Sequence, residues 1–270
     1  MIRKAVIPAA GLGTRFYPLT RAQPKEMLPL VDKPVIHYVV EEAVKSGLDE
    51  ILIIVGAGKD AIINYFDRHI LDEKYTDNYM KHIPDIYFIR QKKQLGLADS
   101  IKYAKNFTNR EDFAVLLGDT VYRSEADSTV TSGLLNDYYK YKSTVIGLER
   151  VKKNLVNHYG IVSMNSVTNI ISNAVEKPNP TNAPSNLAIT GSYIFTEDIY
   201  GFLDTLKLGK NNEMQLTDAI NMLCKTYDVY GSIIKGKRYD IGTVDLWLES
   251  FLQFLDNNDK YSHILRKYIR

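Results

Sequence analysis

Near its start the chain carries an apolar run that opens into a glycine loop: Ala5-Val6-Ile7-Pro8-Ala9-Ala10-Gly11-Leu12-Gly13-Thr14-Arg15. A short apolar run closed by Pro8 is typical of a buried parallel strand that ends in a turn. Gly11 and Gly13 would let backbone N–H groups approach a polyphosphate closely, and Arg15 would add positive charge. The third glycine of a dinucleotide fingerprint is missing, because Phe16 stands there, and no Lys-Ser/Thr pair of a P-loop follows. By itself the loop fits either a phosphate site or an ordinary tight turn.

Working outward from this loop, apolar runs alternate with amphipathic stretches. We predict strands at 51–55, 86–89 and 113–117, and helices at 34–46, 60–67 and 97–105. This alternation predicts an α/β fold: a Rossmann-like open, mostly parallel mixed sheet flanked by helices. Ligands of such sheets bind at the carboxyl ends of the strands, so functional residues should follow the strands directly.

The second half of the chain is richer in strands. We predict them at 144–149, 160–164, 170–175, 188–195 and 229–234, followed by a last helix at 244–255. The expected organisation is one domain over residues 1–270, with one part to about residue 142 and a second from about 143. On the last helix, Leu246, Trp247, Phe251, Phe254 and Leu255 form an apolar face that would contact either a second copy or the chain's own core.

Composition narrows the class of protein. The chain has 34 Lys and Arg against 32 Asp and Glu, a net charge of +2, so no broad basic field for nucleic acid or a membrane surface is expected. Cys224 is the single cysteine and cannot form an intramolecular disulfide, which favours a reducing, cytoplasmic setting. The N-terminal apolar run is too short for a signal peptide or a membrane span.

A second motif follows ten residues after the loop: Pro24-Lys25-Glu26-Met27-Leu28-Pro29-Leu30-Val31-Asp32-Lys33-Pro34. The stretch from Ala9 to Pro34 resembles the signature of the sugar-1-phosphate nucleotidyltransferases. It is most similar to the branch that uses UTP and glucose 1-phosphate, which carries Lys-Glu-Met-Leu-Pro where thymidylyltransferases usually carry Lys-Gln-Leu-Leu-Pro. The resemblance implies that Lys25 bridges the triphosphate. It also implies nucleotide contacts from Ala9, Ala10, Gly11, Gly13, Thr14 and Glu26.

The base pocket would include Gln91 and Gly96, just after the third strand. A glutamine amide has one donor group and one acceptor, which matches the imide edge of uracil or thymine. In isolation such a glutamine is more often a surface amide. The five-residue spacing to Gly96 matches the family and favours base recognition.

Two aspartates directly follow apolar segments. Asp119 comes after Leu116-Leu117-Gly118, and Asp240 lies in Tyr239-Asp240-Ile241-Gly242-Thr243. Two hard oxygen ligands, with substrate phosphates and water, are suited to Mg²⁺. The alternatives are that Asp119 is a turn residue and that Asp240 caps the last helix. The resemblance implies that both are metal ligands.

Three further motifs resemble the sugar-phosphate side of the same family: Tyr159-Gly160-Ile161-Val162, Val175-Glu176-Lys177-Pro178 and Thr190-Gly191-Ser192-Tyr193. Here Lys177 would hold the sugar's phosphate, Glu176 would accept bonds from sugar hydroxyls, and Gly160 and Gly191 would permit close approach. A Glu-Lys pair is otherwise usually solvated. Gln215-Leu216-Thr217-Asp218 also matches the family, although Thr217 and Asp218 would also suit a helix start.

The resemblance implies a Mg²⁺-dependent uridylyltransferase that makes UDP-glucose and pyrophosphate from UTP and glucose 1-phosphate, and that forms a dimer or tetramer. On this view residues to about 142 bind the nucleotide, and those from about 143 bind the sugar phosphate. A thymidylyltransferase or dual UTP/dTTP enzyme is the nearest alternative. A non-catalytic regulatory relative would have lost charged site residues, and all of those sought are present. Five dispersed histidines (His37, His69, His82, His158, His263) show no paired metal-ligand spacing.

Overall fold

The computed structural model describes residues 1–67, 83–125, 128–209 and 212–268. Its strands are β1 (Lys4–Ala9), β2 (Pro29–Leu30), β3 (Lys33–Pro34), β4 (Glu50–Val55), β5 (Ile86–Arg90), β6 (Phe113–Leu116), β7 (Thr120–Ser124), β8 (Val145–Arg150), β9 (Gly160–Met164), β10 (Ile171–Glu176), β11 (Leu187–Phe195), β12 (Tyr230–Ile233) and β13 (Gly236–Asp240). Its α-helices are α1 (Val35–Lys45), α2 (Asp60–Phe66), α3 (Leu97–Lys102), α4 (Lys105–Thr108), α5 (Val130–Tyr141), α6 (Ile199–Thr205), α7 (Leu216–Leu223), α8 (Val244–Asp256) and α9 (Ser262–Leu265).

The centre of the molecule is a sheet in which β1 is an interior strand. It pairs in parallel with β4 on one side and β6 on the other, and β5 continues the parallel set beyond β4. Val6 lies opposite Leu52 in one neighbour and Val115 in the other. Such apolar strands are buried on both faces, as expected for a parallel sheet.

The second half of the chain completes this sheet with strands of both directions. The long strand β11 runs antiparallel to β6, β8 and β9, and the full order is β10-β9-β11-β6-β1-β4-β5, with β8 and β12 joined through β11. The observed fold is therefore a mostly parallel mixed sheet flanked by helices, which confirms the predicted fold class.

Successive residues of the strands alternate between two apolar cores. Val6, Leu52 and Val115 pack with helices α3, α6 and α7 on one face. Residues one position along, such as Ile7 and Ile53, pack with α1, α2 and α5 on the other. The period of two in a strand thus divides each buried segment between both layers of helices.

Several elements differ from the sequence predictions. The helix predicted at 97–105 is two helices, because Tyr103 and Ala104 bond three residues back, to Ser100 and Ile101, and tighten the chain. Helices α5 and α6 and strands β7 and β13 were not predicted. The last two form a separate antiparallel ribbon in which Asp240 lies opposite Thr120. Their partner segments are more than a hundred residues apart in sequence, so no local pattern marks the pair.

The last helix packs against its own chain. Trp247, Phe251 and Phe254 contact a third apolar cluster built on Phe16, Leu28, Leu30, Val35, Val121, Tyr239 and Ile241. The indole N–H of Trp247 also donates to the Pro29 carbonyl at 3.0 Å. Leu248 and Leu252 on the other side of the helix remain exposed. The predicted apolar face therefore serves mainly to hold α8 on the β7–β13 ribbon and the segment after the glycine loop.

Within the described ranges, no helix is both long enough and apolar enough to cross a bilayer.

Two glycine-to-alanine substitutions should change stability in opposite directions. Gly236 has φ of 152°, and an added methyl carbon would lie 2.5 Å from the Arg123 carbonyl oxygen. We expect Gly236→Ala to lower the free energy of unfolding by about 1–3 kcal/mol, because neither backbone can move without opening the ribbon. Gly133 lies exposed in α5 with no atom within 4 Å of that position. Gly133→Ala should raise stability by about 0.5–1 kcal/mol. Urea denaturation of both variants checks this, and shifts of the same sign would contradict it.

Candidate active site

Backbone hydrogen bonds bring three strand ends to one place. Gly118 donates to the carbonyl of Pro8 at 3.2 Å, and Leu117 donates to that of Gly191 at 3.0 Å. The amide of Ile241 donates to the Asp119 carbonyl at 3.1 Å. The carboxyl ends of β1 and β6 therefore meet the middle of β11 and the end of β13, as expected for ligand sites in such sheets.

A cleft of about 410 Å³ opens at this meeting point. Its walls include most of the residues that the sequence singled out: Gly11, Gly13, Thr14, Arg15, Lys25, Asp119, Gly160, Glu176, Lys177, Gly191 and Asp240. They come from segments spread over more than two hundred residues of the chain. The cleft wall also includes Phe16, Thr120, His158, Tyr159, Thr190, Tyr193, Glu213, Gln215, Thr217 and Arg238, among others.

The glycine loop is anchored at its far end. Phe16 is completely buried in the cluster under α8, and its amide donates to the Gly13 carbonyl at 3.0 Å. The Thr20 hydroxyl donates to the same carbonyl at 2.7 Å. Ala9 and Ala10 are buried at the start of the loop, whereas Thr14 and Arg15 are exposed. The loop thus holds a fixed course and leaves the Arg15 guanidinium accessible from the cleft.

Lys25 and Asp119 form an ion pair inside the cleft. Burial alone would lower the pKa of Lys25, but the carboxylates of Asp119 and Glu26 raise it above its ordinary value. Burial alone would raise the pKa of Asp119, but the Lys25 ammonium lowers it. Both groups are therefore charged at neutral pH. The sequence predicted both residues for the site, and Asp119 also lies in the turn between β6 and β7.

Arg238 was not predicted, although it is the most completely paired cation of the cleft. Its Nε donates to Glu149 at 2.7 Å and its Nη1 to Asp240 at 3.1 Å. The guanidinium carbon lies 4.6 Å from the Tyr159 ring centroid, and the side chain is 7% exposed. Burial would lower the pKa of Arg238, but Asp240 and Glu149 raise it. Its spacing of two from Asp240 on one strand is a signal that places both side chains on one face.

Two carboxylates in this cleft are suitable for a divalent cation. Asp119 and Asp240 lie on neighbouring segments, which are joined by the hydrogen bond from the Ile241 amide to the Asp119 carbonyl. Within the described residues no group of three or more acidic, His or Cys side chains is positioned for a metal. A site with two carboxylates fits Mg²⁺, which commonly takes its remaining oxygens from substrate phosphates and water. The alternative that Asp240 caps the last helix is wrong, because the Thr243 side chain accepts from the Leu246 amide.

The cleft wall also presents a carboxylate and an ammonium group side by side. Lys177 Nζ lies 3.1 Å from Glu176 Oε1, and the Thr217 hydroxyl donates to Glu176 Oε2 at 2.6 Å. The amide of Lys177 donates to the Tyr159 carbonyl at 3.0 Å, with φ of 45° at Lys177, a conformation uncommon for side-chain-bearing residues. This Glu-Lys pair lies in the cleft and is not a solvated surface pair. Thr217 also lies in the first turn of α7, so the motif does start a helix, and Thr217 lines the cleft as well.

Five of the predicted nucleotide-binding residues do not line the cleft: Ala9, Ala10, Glu26, Gln91 and Gly96. Gly96 packs against Met214, so closely that an added methyl carbon would lie 2.7 Å from the Met214 carbonyl oxygen. Gln91 is 3% exposed, and its side-chain Nε2 donates to Asp99 Oδ2 at 2.7 Å. Glu26 is buried and pairs with Lys59 at 2.6 Å. Burial raises the pKa of Glu26, although Lys59 lowers it in part.

Lys59 belongs to Gly56-Ala57-Gly58-Lys59, which has the composition of a phosphate loop but not its spacing. Its ammonium is buried against Glu26, and Lys59 does not line the cleft. The Lys59–Glu26 ion pair therefore connects the loop after β4 to the Pro24–Leu28 turn, which carries Lys25.

The histidines fall in different surroundings. His158 lines the cleft beside Tyr159. His37 is buried, with Nδ1 2.8 Å from the Tyr65 hydroxyl, and His263 is exposed. His69 and His82 lie outside the described residues.

Comparison with known proteins agrees with this geometry. The profile of the nucleotidyl transferase family matches residues 4–257. The chain is 40% identical to the UTP–glucose-1-phosphate uridylyltransferase of Staphylococcus haemolyticus, over 100% of this chain and 98% of that protein. It superimposes on a UDP-glucose pyrophosphorylase complexed with UDP-glucose with a TM-score of 0.91 and 37% identity, over 96% of this chain and 100% of that one. A UTP-bound UGPase from Acinetobacter baumannii gives 0.89 and 33%, over 99% and 98%.

Loss of the Arg238 guanidinium should destabilise the protein strongly. Arg238→Met would leave the partly buried carboxylates of Glu149 and Asp240, each 23% exposed, without their common cation, and we expect a loss of about 1–3 kcal/mol. Thermal and urea denaturation measure the loss. Arg150→Met is the matched control, since Arg150 is exposed at the end of β8 and should change stability little. Equal effects of the two substitutions would argue against the structural importance of Arg238.

Proposed function

This chain belongs to the nucleotidyl transferase family, and we propose that it transfers a uridylyl group from UTP to glucose 1-phosphate, giving UDP-glucose and pyrophosphate. The observation that carries the proposal is the cleft, where a glycine loop, Lys25 and two aspartates face the Glu176 and Lys177 pair. Relatives of known structure hold UTP or UDP-glucose. Each charged residue needed for two phosphate-bearing substrates is present in this chain.

The reaction is an in-line displacement. A phosphate oxygen of glucose 1-phosphate attacks the α-phosphorus of UTP, and the bond from that phosphorus to the bridging β-oxygen breaks. Pyrophosphate leaves with the bonding electron pair. Lys25 and Arg15 neutralise the triphosphate, and Lys177 holds the attacking phosphate in line. Positioning and charge neutralisation supply nearly all of the catalysis.

Asp119 and Asp240 would hold Mg²⁺. When bound, the ion supplies further neutralisation of phosphate charge. Lys25, paired with Asp119, and Arg238, paired with Asp240, keep both carboxylates oriented towards the cleft.

No side chain is needed as a general base. The second pKa of a phosphate monoester is about 6, so the attacking oxygen carries no proton at neutral pH. His158, although it lines the cleft, is then a contact residue for the sugar side. The reaction depends on charge placement, not on proton transfer.

Nucleotide recognition is assigned to residues to about 142, including Ala9, Ala10, Gly11, Gly13, Thr14, Glu26, Gln91 and Gly96. Sugar-phosphate recognition is assigned to Gly160, Glu176, Lys177 and Gly191. Uracil and thymine differ by one methyl, which pockets discriminate by only about 1–3 kcal/mol. A panel of UTP, dTTP and other triphosphates against sugar 1-phosphates, read by pyrophosphate release, tests the assignment. No turnover with UTP and glucose 1-phosphate would refute it.

The single cysteine and the phosphorylated substrates favour a cytoplasmic location.

We also propose a homo-oligomer, a dimer or tetramer. Leu248 and Leu252 are about half exposed, at 48% and 51%, on adjacent turns of α8 and offer an apolar contact. Light scattering at working concentration should give at least twice the mass of 30.8 kDa. A monomer would exclude this part of the proposal.

Removing either cleft carboxylate charge should nearly stop turnover. Asp119→Asn and Asp240→Asn should each lower kcat by at least about two decades, the scale of a lost electrostatic group in a catalytic site. Asp256→Asn is the control, because Asp256 is exposed at the end of α8. Near-normal kcat in either cleft variant would remove that residue from the proposed metal site.

The Lys177 ammonium should act on the sugar phosphate and not on the nucleotide. Lys177→Ala should therefore raise KM for glucose 1-phosphate far more than KM for UTP, because only one substrate loses a charge-assisted contact. Steady-state kinetics with each substrate varied in turn gives both constants. Lys153→Ala, an exposed lysine before the cleft wall, serves as control. A larger change in KM for UTP would reverse the division of the site between Lys25 and Lys177.

A further inference from the structure

The side chain of Gln91 is held by a buried carboxylate. Gln91 directly follows β5, and its backbone amide donates to the Val55 carbonyl at 2.8 Å, which fixes its position at the carboxyl end of the sheet. Its Nε2 donates to Asp99 Oδ2 at 2.7 Å. Gln91 is 3% exposed and Asp99 8%. The bond is therefore made away from water, where a mismatch of donor and acceptor would be costly.

Asp99 decides which end of the amide points where. An ionised carboxylate can only accept hydrogen bonds, so the amide nitrogen must face it. The Gly96 carbonyl, another acceptor, lies 3.5 Å from the same nitrogen. Both N–H groups are directed to these acceptors. Oε1 of Gln91 accepts no hydrogen bond from the part of the chain that the structure describes.

The segment that carries Gln91 is connected to the cleft. The amide of Met214 donates to the Leu95 carbonyl at 2.7 Å, and the amide of Ala98 donates to the Met214 carbonyl at 3.1 Å. Met214 lies between two cleft residues, Glu213 and Gln215. On the other side, the Gln94 side chain and the Ala10 carbonyl both pack against Gly56, so the segment also adjoins the glycine loop.

We propose that Asp99 is a positioning residue that sets base specificity, by holding Gln91 so that it offers only an acceptor to the base. The inference rests on the proposed function, in which Gln91 contacts the nucleobase. Uracil and thymine carry a donor, N3–H, on their imide edge, whereas cytosine has an acceptor at N3. An amide oxygen that faces N3 accepts a hydrogen bond from the first two bases, but meets a lone pair at N3 of the third.

The isosteric variant Asp99→Asn tests this directly. The introduced amide can donate to Gln91 Oε1, which lets the glutamine turn and offer its N–H groups to the base. The ratio of kcat/KM for UTP to that for CTP should fall by about tenfold or more, through a loss with UTP and a gain with CTP. Asp99→Ala should lower the UTP value without the gain. Calorimetric titration with UDP and CDP should show the same change in preference without turnover.

Controls separate base recognition from folding. Asp60→Asn, at the first turn of α2 and exposed, should leave the ratio unchanged. KM for glucose 1-phosphate and the thermal midpoint report a merely structural effect, which would alter both nucleotides equally. If Asp99→Asn does not fold, the alanine variant and the nucleoside diphosphate titration still measure the ratio.

Gln91→Ala distinguishes the two levels of the argument. If it leaves the UTP to CTP ratio unchanged, Gln91 does not contact the base, and that part of the proposed function fails together with the inference. If it changes the ratio while both Asp99 variants keep the original preference, Gln91 recognises the base and the role of Asp99 is refuted. A reduced preference in both Gln91→Ala and Asp99→Asn supports the assignment.

Discussion

The pairing of β6 with two strands of opposite direction is the constraint on which the rest of the site depends. On one edge β6 is parallel to β1, which brings the start of the glycine loop beside Asp119. On the other it is antiparallel to β11, whose Gly191 carbonyl accepts from Leu117. Since β11 also pairs with β8 and β9, the sheet strands β8, β9, β10 and β12 of the second half are joined to the parallel set through β11. Without it the two walls of the cleft would have no fixed separation.

The charges of the cleft are arranged in neutralising groups. Lys25 pairs with Asp119, Arg238 bridges Glu149 and Asp240, and Lys177 lies beside Glu176. Burying any of these charges alone would cost several kcal/mol, so their pairing is a condition for folding the site. The same arrangement places three cations in the cleft wall: Lys25, Lys177 and Arg238. In the proposed reaction each phosphate-bearing substrate meets its own cation, which keeps the two substrates distinct.

The positions that sequence reasoning placed least well are those whose role depends on a partner. Gln91 was expected to offer a donor and an acceptor, but its side-chain N–H donates to Asp99, a residue that no sequence motif marks. Glu26 was assigned to the nucleotide, but its carboxylate is paired with Lys59. Arg238 was not predicted as a cleft residue, because one of its two partners, Glu149, lies on β8, far from Arg238 in sequence. A single sequence states which groups exist, and not which of them are already satisfied.

The sequence by itself determined the fold class, the parallel half of the sheet and most of the charged residues of the cleft. These follow from local physics: buried parallel strands are continuous apolar runs, glycine loops end them, and ligand-binding residues follow strands. Tertiary structure alone decided the β7–β13 ribbon, the packing of Trp247 and its neighbours on the chain's own core, and the pairing of each buried charge. The physical reason is that these features join segments distant in sequence, and the free energy of such contacts depends on burial and partner geometry, which no short stretch of sequence encodes.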